Sequence, residues 1–352
     1  MIKPLTSLRF FFAFFVFLSH ISFVKTDNSV FNWFQRNVFF EGYLGVSFFF
    51  ILSGFVLAYS YKDKFSQRLL SKKKFYLARV ARIYPLHLLT LIISVPITVY
   101  DDDFGWAKLC FNILLLQSFI PIESFYSGFN SPSWSISNEM FFYLLFPFSI
   151  TLASLNKIKI YWITLSLMAI VITTISYISV ESWKVLVYYN PFMRFFDFLI
   201  GILLFGIYKQ YINKNNSPSK KVASLVEILA ITFFFVFFIL HNYIPRGFRF
   251  SVYYWIPMSV IIFTFALQKG VISKLLCNKW LVLLGEISFG FYMIHYLVIK
   301  YGLLMKKFYF DNFNDIIFAI ILFFATLGLS LVSFYYFEKP MNTFIKKKLI
   351  KL

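Results

Sequence analysis

The chain has 352 residues, of which 60% are apolar or aromatic and 14% charged, and its mean hydropathy is +0.74. A soluble domain is about half apolar and about a quarter charged, so these proportions exclude a soluble globular enzyme, and hydrophobicity this high also excludes a disordered chain. The formal charge of +19 lies between apolar runs, so it reads as membrane topology signals and as anchors for anionic lipids or ligands, not as a nucleic-acid footprint.

Apolar runs long enough to cross about 30 Å of hydrocarbon fall near 8–24, 43–61, 83–100, 138–155, 160–180, 192–211, 222–241, 250–268, 280–300 and 314–337. The predicted fold class is therefore all-α, a polytopic membrane bundle of about ten transmembrane helices. One further run, 106–120, has 15 residues and contains Lys108, Asn112 and Gln117, so it reads as an interfacial or re-entrant helix. With the N-terminus inside and this run not crossing, 24 basic residues fall in inner segments and 9 in outer ones. That satisfies the positive-inside rule and makes both termini cytoplasmic. If 106–120 crossed, the clusters at 209–221 and 339–351 would face outward, against the rule.

The first apolar stretch lacks a small-x-small cleavage site and is bracketed by Arg9 and His20, so it reads as a retained helix rather than a signal peptide. Ser217-Pro218-Ser219 reads as a turn. With no internal repeat and no appended soluble domain, residues 1–352 read as one membrane domain. Cys110 and Cys277 provide neither a disulfide framework nor metal-ligand spacing, and no metal is expected.

Ionisable groups inside spans are costly and point to function. Arg9 and His20 are 11 residues apart, which at about 100° per residue places them on one helix face, about 16 Å apart along the axis. The competing reading is that Arg9 snorkels to lipid phosphates and His20 bonds a backbone carbonyl. Arg79 and Arg82, at i and i+3, share a face at the inner mouth of the third span, where planar bidentate donors suit a phosphate group. Glu139, in the stretch Pro132-Ser133-Trp134-Ser135-Ile136-Ser137-Asn138-Glu139, enters the membrane from the outer end at the level of His20, where a carboxylate would orient an imidazole. Arg194 and Asp197 are spaced i,i+3, a structural ion pair on the leading view. His295 lies in the outer half of the ninth span and suits hydrogen-bonded packing first and a site role second. His87 and His241 read as ordinary interfacial residues. Gly42, Gly45 and Gly54 read as close-packing positions.

Taken together these residues resemble the acyltransferase 3 family of membrane acyltransferases, which O-acetylate bacterial surface glycans. Arg9 with His20 is similar to the family's Arg-x10-His pattern. The run from Gly42 to Phe55 is similar to its second-helix signature, and Arg79 with Arg82 to its Arg-x-x-Arg motif. Trp134-Ser135 with Glu139 resembles its Trp-Ser-x-x-x-Glu stretch, and Phe337-Glu338-Lys339-Pro340 its closing motif. The second-helix signature commonly has an acidic residue after Gly-Val, where this chain has Ser47, and some members carry a further soluble domain.

The resemblance implies an acetyl-CoA-dependent O-acyltransferase in the bacterial cytoplasmic (inner) membrane. Its expected acceptor is a hydroxyl of a lipid-linked or cell-surface glycan such as O-antigen, capsule or exopolysaccharide. Arg9, Arg79 and Arg82 are expected to bind the phosphates of acetyl-CoA, with His20 as general base or transient acyl carrier and Glu139 supporting it. Trp134, Ser135, Arg194, Tyr292 and His295 are expected on the acceptor side. Further expected partners are anionic lipids and, as an alternative to transfer by this chain alone, a separate periplasmic protein; nucleic acid is not expected. The competing function is a transporter or flippase of lipid-linked sugars, which would favour inverted repeats.

Overall fold

The computed structural model describes residues 2–214 and 218–350, so Ser217 of the expected turn lies outside the described residues. Among the described residues the regular structure is entirely helical. The first half of the chain contains α1 (Lys3–Ser19), α2 (Ser29–Asn37), α3 (Leu44–Ser66), α4 (Lys72–Tyr100), α5 (Trp106–Ile113), α6 (Glu123–Tyr126), α7 (Trp134–Ser149) and α8 (Lys157–Tyr177). The second half contains α9 (Pro191–Asn213), α10 (Lys220–Leu240), α11 (Arg246–Arg249), α12 (Trp255–Ala266), α13 (Val271–Leu276), α14 (Lys279–Tyr309), α15 (Asp315–Ser333) and α16 (Lys339–Ile345).

Among the described residues, eight helical stretches are long and apolar enough to cross a membrane. The other two expected spans, 8–24 and 250–268, are occupied by the 17-residue α1 and by the shorter apolar stretch Val252–Ala266. The all-α, multi-pass reading therefore holds. Burial separates helices that face lipid from helices that face protein: the apolar window of α9 is 72% buried, whereas that of α8 is 17% buried. Accordingly α8 presents Leu165, Ile170 and Ile172 outward, with Trp162 towards one end and Tyr177 at the other, the amphipathic aromatics suited to an interface.

Two elements differ from the expected boundaries. The first helix stops at Ser19, not near residue 24. Ser19 Oγ donates to Val16 O at 2.7 Å and His20 Nδ1 donates to the same carbonyl at 2.9 Å, while the His20 amide closes a tighter bond to Phe17 O at 3.0 Å. Side chains thus satisfy the acceptor that the next helical turn would have used, and the helical angle between Arg9 and His20 holds only as far as Ser19. At the other extreme, α14 runs for 31 residues, about 46 Å, so its last turns with Lys306 and Lys307 extend past a single hydrocarbon thickness.

Contacts divide the chain into two compact units. The first takes in the residues up to Phe10, Val46–Ser71 and Phe141–Glu286. Here α3 and α9 approach at glycines: a Cβ on Gly54 would overlap the Phe198 carbonyl, and one on Gly201 the Ile51 carbonyl. No other residue permits that spacing. Phe50, Phe142 and Phe198 pack beside this seam, and Glu227, 1% exposed, accepts the amides of Gly270, Ile272 and Ser273 at the start of α13.

The second unit takes in Phe11–Gly45, Lys72–Met140 and the chain from Ile287 onward. A Cβ on Gly45 would lie 2.7 Å from Phe12 O, so the start of α3 presses on α1. The segment after α4 folds back along that helix. Lys108 pairs with Asp103 near the end of α4, yet Asn112 O accepts from His87 Nε2 at 2.9 Å and Ile113 O from Tyr84 Oη at 3.0 Å. His87 is 13 residues before Tyr100, so the segment descends about 20 Å along α4. It then turns at Leu115, whose φ is +56°, and returns through the 3-10 turn Gln117–Phe119 towards α7.

Candidate active site

The site in the second unit is built at the level where α1 ends, α14 passes and the loop before α7 folds in. His20 stands just past the C-terminus of α1 and His295 inside α14. Their ring centroids are 4.9 Å apart at 71°, and His295 Nε2 is 3.4 Å from His20 Nδ1. Backbone carbonyls fix the protons. Because carbonyls only accept, His20 Nδ1 donates to Val16 O at 2.9 Å and His295 Nδ1 donates to Tyr292 O at 2.6 Å. The proton is thereby fixed at Nδ1, so in its neutral form each ring carries its lone pair at Nε2. For His295 that nitrogen faces the His20 ring.

The backbone bond of His20 is the one its competing reading expected. The second imidazole beside it is what spacing alone does not give. Its polar partners are Val16, Ser19 and His295, with Tyr296 as a ring neighbour. Glu139 is therefore not the group that orients it. Glu139 is half-buried on α7, one turn beyond Ser135. A buried carboxylate that the sequence reading passed over is Glu41: it is 3% exposed, accepts from Tyr43 Oη at 2.9 Å, and precedes Gly42, whose backbone abuts Phe15 O and Ser19 Cβ.

The loop before α7 reaches the same level. Asn130 Nδ2 donates to Met293 O at 2.9 Å and Tyr292 Oη to Pro132 O at 3.3 Å. Ser135 Oγ also donates to Pro132 O, at 2.9 Å, and Trp134 is 3% exposed. Of the residues expected on the acceptor side, Trp134, Ser135, Tyr292 and His295 thus converge.

Arg194 does not join them. It lies in the first unit with no exposed surface, between the rings of Phe50 and Tyr188. It ion-pairs with Asp197 at 2.9 Å and donates to Ser47 Oγ at 2.9 Å and to Phe250 O. Asp197 in turn accepts from Trp255 Nε1 and, at 3.1 Å, from Ser251 Oγ. This is the ion pair the spacing allowed, enclosed by protein, with Arg194 Nε making no hydrogen bond among the described residues. Arg9 belongs to the first unit, half-buried on α1.

Towards the other end of α4 lie the cations. Arg79 and Arg82 project from α4, with Arg82 exposed. The helix α16 and the π-turn Lys346–Ile350 pack on α4 and bring Lys346 close enough for both arginines to repel its ammonium. At the opposite end of this unit, Lys306 pairs with Asp315, whose other oxygen accepts the Lys25 amide at 2.8 Å. A cavity of about 500 Å³ lined by Phe23, Lys25, Lys307, Asp311 and Asn312 opens there. Residues with like expected sidedness therefore cluster at like ends of the unit.

Two histidines are corrected. His87 is 1% exposed and His241 4% exposed, so both are buried in protein rather than presented at the surface. Each is held by a backbone carbonyl, of Asn112 and Phe238 respectively.

The chain belongs to the acyltransferase 3 family, whose model, described as an acyltransferase domain, matches residues 3–335. It is similar to the acyltransferase MdmB of Streptomyces mycarofaciens, with 29% identity over 86% of this chain and 80% of that protein. It is also similar to a "putative acetyltransferase" of Acidianus two-tailed virus, with 27% identity over 74% of each chain. A "putative O-acetyltransferase" of Staphylococcus aureus (strain COL) is 22% identical over 86% of this chain but 53% of its own length. No solved structure matches the chain. The protein is a multi-pass membrane acyltransferase.

Proposed function

We propose that this acyltransferase moves an acetyl group from cytoplasmic acetyl-CoA to a hydroxyl of a lipid-linked or surface glycan, in the inner membrane of a bacterium and with both termini cytoplasmic. The observation that carries this reading is the His20 tautomer, Nδ1–H held by Val16 O and Nε2 left as the lone pair, in a unit whose other end gathers Arg79, Arg82 and Lys346. The two arginines bind the CoA phosphates at the inner mouth. The pantetheine arm rises towards His20, and the acceptor enters from the outer end, past the polar cavity beside Lys25 and Asn312.

The acceptor hydroxyl gives its proton to His20 Nε2 as its oxygen attacks the thioester carbonyl. The C–S bond then breaks, and the imidazolium returns the proton to the CoA thiolate. Glu139 offsets charge on the donor side rather than orienting the ring. Trp134, Ser135, Tyr292 and His295 shape the acceptor side.

A positioned histidine base supplies about 10²–10⁴ in rate. His20→Ala should lower transfer of labelled acetyl groups from acetyl-CoA to surface glycan by that factor, with the protein still present in the membrane. O-acetyl content measured by NMR in a deletion strain complemented with either form is the assay. Equal O-acetylation by the two forms would refute the role.

A further inference from the structure

Three fully buried side chains between the cation cluster and the imidazole pair share one peculiarity. Each spends its donor on protein and keeps an acceptor with no hydrogen-bond partner among the described residues: His87 Nδ1, Gln117 Oε1 and Asn130 Oδ1. Their orientation is fixed by what they donate to. His87 Nε2 donates to Asn112 O at 2.9 Å, leaving Nδ1 as a lone pair; Gln117 Nε2 donates to Ser133 O at 3.2 Å; and Asn130 Nδ2 donates to Met293 O at 2.9 Å. These bonds form a connected series. Asn112 Oδ1 meets Ser133 Oγ at 3.5 Å, Gln117 Nε2 also reaches Ser133 Oγ at 3.2 Å, and the Ser133 amide donates to Asn130 O at 2.9 Å. His87 lies five residues, about 7.5 Å along α4, beyond Arg82, and Asn130 anchors two residues from His295.

A buried acceptor without a donor is destabilising, and three in one seam call for a ligand or water that brings N–H or O–H groups. The ligand must be an uncharged chain of donors joined to a phosphate group at one end and delivered to an imidazole at the other. The arm of CoA fits, since it carries two secondary amide N–H groups and one hydroxyl between its pyrophosphate and its thiol. We propose that His87, Gln117 and Asn130 form the track that binds the pantetheine arm through its N–H and O–H groups. The proposal rests on acetyl-CoA being the donor and assigns three residues to the part of it between phosphate and thioester.

The test compares two probes on the purified full-length protein in nanodiscs: CoA, and adenosine 3′,5′-bisphosphate, which has phosphates but no arm. Gln117→Met and His87→Leu should each weaken CoA by about three- to tenfold, the loss of one net hydrogen bond, and leave the bisphosphate unchanged. His87→Gln, which can both donate to Asn112 O and accept, should keep native affinity for CoA. Unchanged CoA binding in the two apolar variants would mean that water satisfies these acceptors, and the proposal fails. Equal losses for both probes in His87→Leu and His87→Gln alike would also overturn it. A wild-type protein that binds neither probe would overturn the acetyl-CoA reading itself.

Discussion

The pair Arg194–Asp197 separates a structural role from a substrate-binding one. Neither side chain has exposed surface, and the guanidinium is already engaged by Asp197, Ser47 and the Phe250 carbonyl. Replacing Asp197 by Leu leaves a buried cation with two neutral acceptors, and breaking one side of such a pair costs about 3–5 kcal/mol. It also takes the acceptor from Trp255 Nε1 and Ser251 Oγ. Replacing both partners, with Arg194→Met and Asp197→Leu, removes the unpaired charge and should recover about 2–3 kcal/mol of that loss, since an apolar pair of similar volume is often close to neutral. Equilibrium unfolding in mixed micelles, followed by tryptophan fluorescence, measures both. Acetyl transfer by the double variant, assayed in the same micelles, should stay within a few-fold of the native rate. A single variant costing less than about 1 kcal/mol, or a stable double variant without transfer, would refute the structural assignment and return Arg194 to the substrate.

Two further perturbations address the second unit. His295→Phe keeps a ring beside His20 but removes the lone pair 3.4 Å from its Nδ1; it should lower kcat about tenfold or more with little change in the KM for acetyl-CoA, as expected for a group that positions the base. A raised KM at constant kcat would place His295 on substrate instead. Lys346→Ala should weaken CoA binding by about tenfold, the scale of one charge-assisted contact, and flatten its salt dependence, whereas Lys346→Arg should retain both; isothermal titration at two ionic strengths reads the difference, and a salt dependence unchanged by Lys346→Ala would remove this lysine from the anion site.

What the sequence reveals here follows from how local the governing physics is. All ten apolar runs become helix because hydrocarbon admits no unpaired backbone, and 106–120 turns back because its 15 residues cannot span. The glycine positions at 42, 45 and 54 are legible for the same reason: a missing Cβ in an apolar helix is worth little except where another backbone comes near. The neighbour of His20 is not legible. His295 is 275 positions away, and a single imidazole on a long helix looks the same whether it packs or serves a site. The burial of His87 is not legible either: it donates to Asn112 O on the segment after α4, a contact no helical period encodes. The end of α1 was hidden by side chains, Ser19 and His20 competing for one carbonyl.

The re-entrant segment also explains why the polar residues lie where they do. A helix-to-turn reversal at membrane depth exposes carbonyls at Asn112, Ile113 and Leu115, and each is met by a side chain: His87, Tyr84 and, at 2.6 Å, Ser137. Lipid could not supply those donors, so the segment can exist only against a polar wall. A wall made solely to satisfy the backbone would leave nothing over. This one carries surplus acceptors at His87 and Gln117, more than its own turn consumes, and the surplus lies on the line from Arg82 to His20. The excess polarity is therefore a property of the route and not of the fold, which is why its loss should register in ligand affinity before it registers in stability.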